Sequence, residues 1–124
     1  MSALRYTEDH EWIRLESDGS ATVGITDHAQ EALGDIVFVE MPEVGRHFAK
    51  GEAACVIESV KAAADLKMPI AGSIIAVNEA LPDDPAKVNT DPMTDGWFLR
   101  IGLDHPADLE QLMDDAAYQA LIAG

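Results

Sequence analysis

The sequence predicts a mainly β protein, a small barrel or sandwich with a short internal helix and one or two helices near its C-terminal end. Short runs that alternate apolar and polar residues recur along most of the chain, separated by turn clusters about every 8 to 12 residues. After Pro106 the spacing of apolar residues changes from the period of a strand to that of a helix. A chain of 124 residues has the usual size of one compact unit, so residues 1–124 are expected to form a single domain.

The first elements are a hairpin and a helix. Residues 12–16 and 21–25 alternate around a polar turn that contains Gly19, which favours a β-hairpin. The next helix is expected over residues 28–33. Thr26 or Asp27 would cap its start, and Gly34 would end it in the left-handed conformation.

The central strands are delimited by proline and glycine. Residues 36–39 form a β-branched and aromatic run that stops before Pro42, and Gly45 and Gly51 bracket a short connecting strand. Two further runs should pair antiparallel, residues 53–60 and 62–68. Their pairing places Val60 and Lys61 at the tip of a hairpin, and residues 73–77 resume the strand pattern.

The last third contains loops, one strand and the terminal helices. Residues 82–85 and 89–92 are rich in proline and acidic or small polar residues, so neither segment is expected to have regular structure. Residues 97–103 alternate as a strand with one strongly apolar face. From Pro106 onward, helical spacing predicts one bent helix or two short ones.

Charge and composition exclude several classes of function. The chain has 23 acidic and 8 basic residues and a net charge of −15, which would repel nucleic acid and anionic lipid. We therefore expect no nucleic-acid and no membrane partner. The net negative charge would keep the protein soluble, and it could also attract basic surfaces of partner proteins toward it. The first residues contain neither a hydrophobic signal region nor an Arg-rich presequence, so a bacterial cytoplasm is the expected location.

Cysteine and histidine do not indicate a metal centre. Cys55 is the one cysteine and lies in an apolar run, which favours a buried core residue over a reactive thiol. The four histidines have no close ligand spacing and no cysteine partner, so no bound metal is expected.

Lys61 is the candidate for covalent chemistry. It lies at a predicted hairpin tip among small or apolar neighbours that leave its amine accessible. Schiff-base catalysis would instead require burial or a neighbouring cation, which this sequence does not indicate. An unmodified Lys61 is therefore expected to be inert, and modification of its amine is the expected role.

The surroundings of Lys61 resemble lipoyl and biotinyl carrier domains, which present a modified lysine on a β-turn. The shared features are the two glycines before the hairpin, Glu58 three residues before the lysine, and Pro69 and Gly72 after it. Biotin carriers usually flank the lysine with methionine, whereas Val60 and Ala62 flank it here. The resemblance is therefore closer to the lipoyl branch, and a biotin carrier is the weaker alternative.

Further segments resemble the H proteins of the glycine cleavage system and span nearly the whole chain. They are His10–Trp12, Gly24–Gln30, Gly34–Glu40, Glu58–Ala63 and Gly96–Trp97. The resemblance implies a lipoyl-domain-like hybrid of barrel and sandwich with two antiparallel sheets. Ala64, Met41 and Met93 depart from the family's usual residues and affect the expected details of the arm pocket.

The resemblance also implies a cofactor and partners. Lipoate would be amide-linked to Lys61 by a lipoate ligase or a lipoyl/octanoyl transferase. The non-catalytic carrier would then shuttle an aminomethyl group from glycine decarboxylase (P protein) to aminomethyltransferase (T protein), and dihydrolipoyl dehydrogenase (L protein) would reoxidise it. A monomer is expected. A relay protein that donates lipoate to 2-oxoacid dehydrogenase complexes is the principal alternative.

Four carboxylates are the remaining candidate site residues. Glu58 could orient the tip or be recognised by the ligase, although a solvated carboxylate without a role is an equally good interpretation. The family's sheltering pocket maps by resemblance onto Glu11 and Asp65, and Asp9 could add negative charge. These residues would hold the cationic amine of the loaded arm.

Overall fold

A computed structural model describes residues 3–123 of the chain. Nine strands in this described part of the chain form two antiparallel sheets. A six-stranded sheet has the order β1-β2-β3-β9-β8-β5, and a three-stranded sheet has the order β4-β6-β7. The strands are β1 (Ala3–Tyr6), β2 (Glu11–Leu15), β3 (Ser20–Ile25), β4 (Ile36–Glu40), β5 (His47–Phe48), β6 (Ala53–Ser59), β7 (Ala63–Lys67), β8 (Gly72–Val77) and β9 (Leu99–Leu103). The predicted fold class is confirmed.

The predicted N-terminal hairpin is β2 and β3, and a strand that the sequence did not reveal precedes it. In the turn, Gly19 has a φ of 88°, and the Asp18 carboxylate accepts a hydrogen bond from the Ser20 backbone N–H at 2.9 Å. The additional strand, β1, pairs antiparallel with β2 and carries Tyr6 opposite Trp12. Its four residues are too few to show a clear alternation, so pairing with β2 decides their structure.

The predicted internal helix is α1 (Asp27–Leu33). The Thr26 hydroxyl accepts a hydrogen bond from the Ala29 backbone N–H at 3.2 Å, which makes Thr26 the cap. Gly34 ends the helix as predicted, with a φ of 79°. Its ψ of −158° nevertheless lies outside the left-handed helical region that the sequence suggested.

The prediction of two irregular loops after residue 80 is wrong. Two single-turn helices occupy this region, α2 (Ala80–Asp83) and α3 (Lys87–Thr90). Pro82 lies in the first turn of α2, where a helix requires no donor from the backbone nitrogen. Burial of Leu81 and Val88 against the core anchors both turns. This tertiary contact outweighs the local preference for irregular structure.

The C-terminal region contains two short helices, one of the predicted alternatives. Residues Pro106–Gln111 form a 3-10 helix with Pro106 in its first turn, and α4 spans Asp115–Ala123. Tyr118 of α4 stacks on Tyr6 with ring centroids 4.4 Å apart. This contact fixes the last helix against β1. None of the helices in residues 3–123 is long and apolar enough to cross a membrane.

Most buried apolar side chains form one cluster between the two sheets. Cys55 is buried there, as predicted, and its burial raises the pKa of the thiol well above the ordinary value. Phe98 is as fully buried as Leu99. The predicted alternation fails at this point because Phe98 precedes the first residue of β9, and its backbone N–H donates to the Val23 carbonyl instead.

Candidate functional site

Lys61 lies at the tip of the hairpin formed by β6 and β7. The strands end at Ser59 and begin again at Ala63, so Val60, Lys61 and Ala62 form the turn, and all three are exposed. Within residues 3–123, no ion pair shorter than 4.0 Å involves Lys61. The amine is therefore available to a modifying enzyme, as the sequence predicted.

The Ser59 hydroxyl organises this turn. It accepts hydrogen bonds from the backbone N–H groups of Lys61 at 3.3 Å and Ala62 at 3.0 Å, and donates to the Ala62 carbonyl at 3.1 Å. The Ser59 backbone N–H also donates to the Ala62 carbonyl at 2.8 Å. Sequence reasoning did not identify Ser59, although a serine two residues before a turn residue is a known signature of side-chain-to-backbone bonding.

A second support for the tip comes from the segment between α1 and β4. The Val60 backbone N–H donates to the Asp35 carbonyl at 3.0 Å. A Cβ added to Gly34 would lie 3.2 Å from Cε of Lys61, so the lysine stem passes close over the glycine backbone. The sequence indicated only that Gly34 ends a helix. Its second role, making room for Lys61, depends on the tertiary structure.

Glu58 lies on the central strand of the three-stranded sheet, two residues before the turn begins. It pairs with Phe38 on one side and Ala63 on the other, and its side chain is exposed. The structure thus places its carboxylate near the tip, but among the described residues it has no salt bridge with Lys61.

A cleft of about 380 Å³ lies beyond the end of β7 remote from the tip. Glu11 and Asp9 line it together with residues of β1, of the turns around Gly51 and Pro69, and of the C-terminal region. The buried Glu11 carboxylate accepts hydrogen bonds from the Thr7 hydroxyl at 3.0 Å and the Lys67 backbone N–H at 2.8 Å. Burial raises the pKa of Glu11 to about 7, although these hydrogen bonds act in the opposite direction.

The structure brings two of the three predicted pocket residues together. Asp9 and Glu11 share the cleft, whereas Asp65 lies on the exposed outer side of β7, outside the residues that line it. Asp65 is two residues closer to the tip than Lys67, which does line the cleft. Asp65 therefore lies between Lys61 and the cleft along the strand. Ala64 points to the opposite side of β7 and is half-buried.

His10 precedes Glu11 and adopts an unusual backbone conformation, with a φ of 67°. Its Nδ1 lies 2.9 Å from the Tyr118 hydroxyl, which in turn lies 2.7 Å from the Thr26 hydroxyl, and its carbonyl accepts from the Thr26 N–H at 3.0 Å. The His28 ring lies 4.5 Å from the His10 ring. These contacts hold His10 in its unusual backbone conformation and so help to position the next residue, Glu11. The sequence predicted only an ordinary surface or capping imidazole at His10.

These residues fit a lipoyl group on Lys61. Lys61 is exposed and hydrogen-bonded into a defined turn, and a cleft with a buried carboxylate lies beyond the far end of strand β7. Two antiparallel sheets with a lysine at a hairpin tip define the class of lipoyl- and biotinyl-type carrier proteins.

Comparison with known proteins identifies the family. The model for the family described as "Glycine cleavage H-protein" matches residues 4–123. The chain is 61% identical to a glycine cleavage system H protein of Chromobacterium violaceum, over 93% of this chain and 90% of that protein. It is 51% identical to one of Rhodospirillum rubrum, over 98% and 97%. A crystal structure of a glycine cleavage system H protein from Mycobacterium marinum has a TM-score of 0.89 and 39% identity, and covers 98% of both chains.

The chain belongs to the glycine cleavage H-protein family. The similarity extends over nearly the whole chain, so it concerns both sheets and the C-terminal helices as well as the hairpin. It supports the H-protein role and not the alternatives of a biotin carrier or a lipoyl relay protein.

Proposed function

We propose that Lys61 carries an amide-linked lipoyl group and that the protein is a non-catalytic carrier of the glycine cleavage system. It would accept an aminomethyl group from glycine decarboxylase and yield it to the folate-dependent aminomethyltransferase, and dihydrolipoyl dehydrogenase would reoxidise it. The single observation that carries this proposal is the exposed, hydrogen-bonded position of Lys61 at the β6–β7 tip in a chain of this family.

When bound, the lipoyl group supplies a dithiolane whose five-membered ring cannot reach the relaxed disulfide dihedral of about 85 to 100°, so its S–S bond opens readily. The chain supplies position. Ser59 holds the turn, Gly34 leaves room for the lysine stem, and the exposed tip lets the arm reach a partner's active site.

The cleft would shelter the loaded arm. β7 rises about 13 Å from Ala63 to Lys67, and Asp65 lies on that path. At its end, Glu11 and Asp9 would receive the cationic amine of the cargo, and the walls of the cleft would exclude water from it. Approach of a cation favours the ionised form of Glu11, so binding of the amine and loss of the Glu11 proton should be coupled.

Attachment would require a lipoate ligase or a lipoyl/octanoyl transferase. The carrier is expected to act as a monomer and, on the sequence argument, in a bacterial cytoplasm. Its own residues would bind and orient the arm and its cargo, while the reacting groups come from the cofactor and the partner enzymes.

Intact-mass measurement after treatment with lipoate, ATP and a lipoate ligase tests the attachment site. We expect the parent and a Lys50→Arg control to gain one lipoyl group and Lys61→Arg to gain none while keeping its melting temperature. A lipoyl adduct on Lys61→Arg would contradict the proposal.

Exchange of the glycine carboxyl with bicarbonate tests the shuttle. Glycine decarboxylase should catalyse this exchange with the lipoylated chain and not with Lys61→Arg. A relay protein would instead transfer its lipoyl group to other lipoyl domains without supporting exchange. Absence of exchange with fully lipoylated parent protein would therefore overturn the proposed function.

A further inference from the structure

Three exposed apolar side chains lie on the turn that carries Lys61 and at the start of the adjacent strand β4. Val37 is 56%, Phe38 46% and Val60 67% exposed, and they are half of the six large hydrophobic residues that are exposed in the described chain. Val60 precedes the lysine, and Phe38 pairs across from Glu58 on the adjacent strand. We call these three residues the tip patch. Clustering of exposed apolar residues around one functional group is typical of a contact surface, whereas isolated ones need no explanation.

A β-bulge creates much of the tip patch. Ile36 pairs with Ser59 and Phe38 with Glu58, so Val37 is an extra residue in β4. In a regular strand, one of two consecutive residues would point inward; here both Val37 and Phe38 are exposed. Val37 and Phe38 leave much of their apolar surface in contact with water. Packing within this chain therefore does not explain why apolar residues occupy these two positions.

The charge around the tip patch is acidic. Two exposed acidic residues adjoin it: Asp35, whose carbonyl accepts from the Val60 N–H, and Glu58, which pairs with Phe38. Lys61 is the basic residue of the turn itself. A complementary partner therefore presents an apolar hollow with basic side chains around it.

Access to the amine distinguishes the possible partners. The enzyme that acylates Lys61 has to bring its active site to Nζ, four methylene groups from the backbone of the tip. Its surface then comes close to Val60, which precedes the lysine, and Phe38 lies opposite Glu58 on the adjacent strand. A glycine cleavage enzyme instead reacts at the far end of the attached arm, so its active site can remain a whole acyl chain away from these side chains.

We propose that the tip patch, Val37, Phe38 and Val60, is the docking contact for the enzyme that acylates Lys61. The inference rests on the proposed lipoylation of Lys61. In the reaction, unprotonated Nζ attacks the carbonyl carbon of the lipoyl adenylate that the ligase makes from lipoate and ATP. The amide C–N bond forms, the bond to AMP breaks, and Nζ loses a proton to solvent.

The chain offers matched controls. Ile75 is 47% and Val44 61% exposed, close to the values for Phe38 and Val60. Both lie away from the tip: Ile75 is on β8, and Val44 adjoins Gly45, whose backbone N–H donates to the Ile74 carbonyl. The test compares kcat/KM for lipoylation by a lipoate ligase with lipoate and ATP among Phe38→Ser, Val60→Ser, Ile75→Ser, Val44→Ser and the parent.

We expect Phe38→Ser and Val60→Ser each to lower kcat/KM about tenfold, chiefly through KM, because central apolar contacts dominate interface energetics. Ile75→Ser and Val44→Ser should stay within about twofold of the parent. Added salt should raise KM for the parent, as expected for an acidic rim facing basic side chains. Melting temperatures identify any variant that is unfolded; if Phe38→Ser does not fold, Val60→Ser decides alone.

Prolonged treatment with excess ligase should still lipoylate the tip-patch variants fully. In bicarbonate exchange with glycine decarboxylase they should then behave as the lipoylated parent. Parent-like lipoylation kinetics in folded tip-patch variants would overturn the docking inference while leaving lipoylation of Lys61 intact. An equal loss in lipoylation and in exchange would overturn the assignment of the patch to the acylating enzyme. Failure of the parent itself to accept lipoate would overturn the proposed function instead.

Discussion

Glu11 is a carboxylate that the fold removes from water and supplies with two hydrogen-bond donors. Its pKa of about 7, raised from an ordinary 4.5, shows that burial outweighs the donors. A raised pKa means that the folded state favours the protonated form. This stabilisation is complete below the ordinary pKa and is lost as the pH rises through about 7.

Glu11→Gln removes this titration, keeps an oxygen that can accept from the Lys67 backbone N–H, and places an amide N–H that can donate to the Thr7 hydroxyl. Between pH 5 and pH 8 the free energy of unfolding of the parent should fall relative to that of Glu11→Gln, by up to roughly 3 kcal/mol. Urea unfolding at several pH values measures this difference. The exposed Glu43→Gln should follow the parent. Parallel curves for the parent and Glu11→Gln would contradict the prediction.

Glu58 presents the opposite case, an exposed acid whose importance depends on recognition. Glu58→Gln should slow lipoylation by more than its effect on stability accounts for, because the carboxylate lies near the tip that the ligase must bind. Ligation kinetics and thermal unfolding of the same variant separate the two effects. Unchanged kinetics would show that Glu58 is a solvated carboxylate without this role.

At the scale of the element, the β6–β7 hairpin depends on Ser59 for the shape of its turn. Ser59→Ala removes one acceptor for two backbone N–H groups and one donor to a carbonyl. Since the turn is exposed, water can replace these bonds, and the loss of stability should be about 1 kcal/mol. The turn becomes less ordered, so lipoylation should slow severalfold.

Hydrogen exchange of the Lys61 and Ala62 amides and ligation kinetics measure the two effects of Ser59→Ala. Ser59→Thr, which keeps the hydroxyl, should recover most of the rate. Ser17→Ala, in the turn of the β2–β3 hairpin, is the control and should behave as the parent. Fast ligation of Ser59→Ala together with rapid amide exchange would show that the ligase does not need an ordered tip.

At the scale of the whole molecule, the proposed path of the arm connects both sheets. It begins at the tip of the three-stranded sheet, passes Asp65 and ends where Glu11 of the six-stranded sheet accepts from the Lys67 backbone. The His10–Tyr118–Thr26 contacts join α4 and the start of α1 to the same region. The cleft thus depends on elements from both ends of the chain.

The loaded arm should decay faster when Glu11 of the cleft, or Asp65 on the proposed path to it, loses its carboxylate. Water hydrolyses an aminomethyl thioether to the free thiol, formaldehyde and ammonia, so Glu11→Gln or Asp65→Asn should release ammonia faster than the parent, with little change in loading. A contribution of about 1 to 3 kcal/mol corresponds to roughly a five- to hundredfold or greater change in lifetime. The effect should be larger for the buried Glu11. Equal decay in the parent and both variants would show that these carboxylates do not shelter the arm, and Glu43→Gln controls for loss of charge alone.

The sequence by itself determined the elements whose signals are local. The β2–β3 hairpin, a helix cap at Thr26 or Asp27, the end of α1 at Gly34 and the Lys61 hairpin follow from alternation, capping chemistry and turn residues within a few positions. Alternation and turn spacing together also indicated the mainly β class. These features could be predicted because adjacent residues supply the interactions that form them.

Only the tertiary structure decided the features that depend on distant partners. β1 requires β2, and the single-turn helices α2 and α3 require burial of Leu81 and Val88 in the core. The raised pKa of Glu11 results from burial, which outweighs the lowering effect of hydrogen bonds from Thr7 and Lys67. Local sequence patterns also could not predict that Gly34 lies beneath the Lys61 side chain, or that Asp65 lies outside the cleft. Burial and close approach are properties of the packed chain, so one segment of sequence cannot specify them.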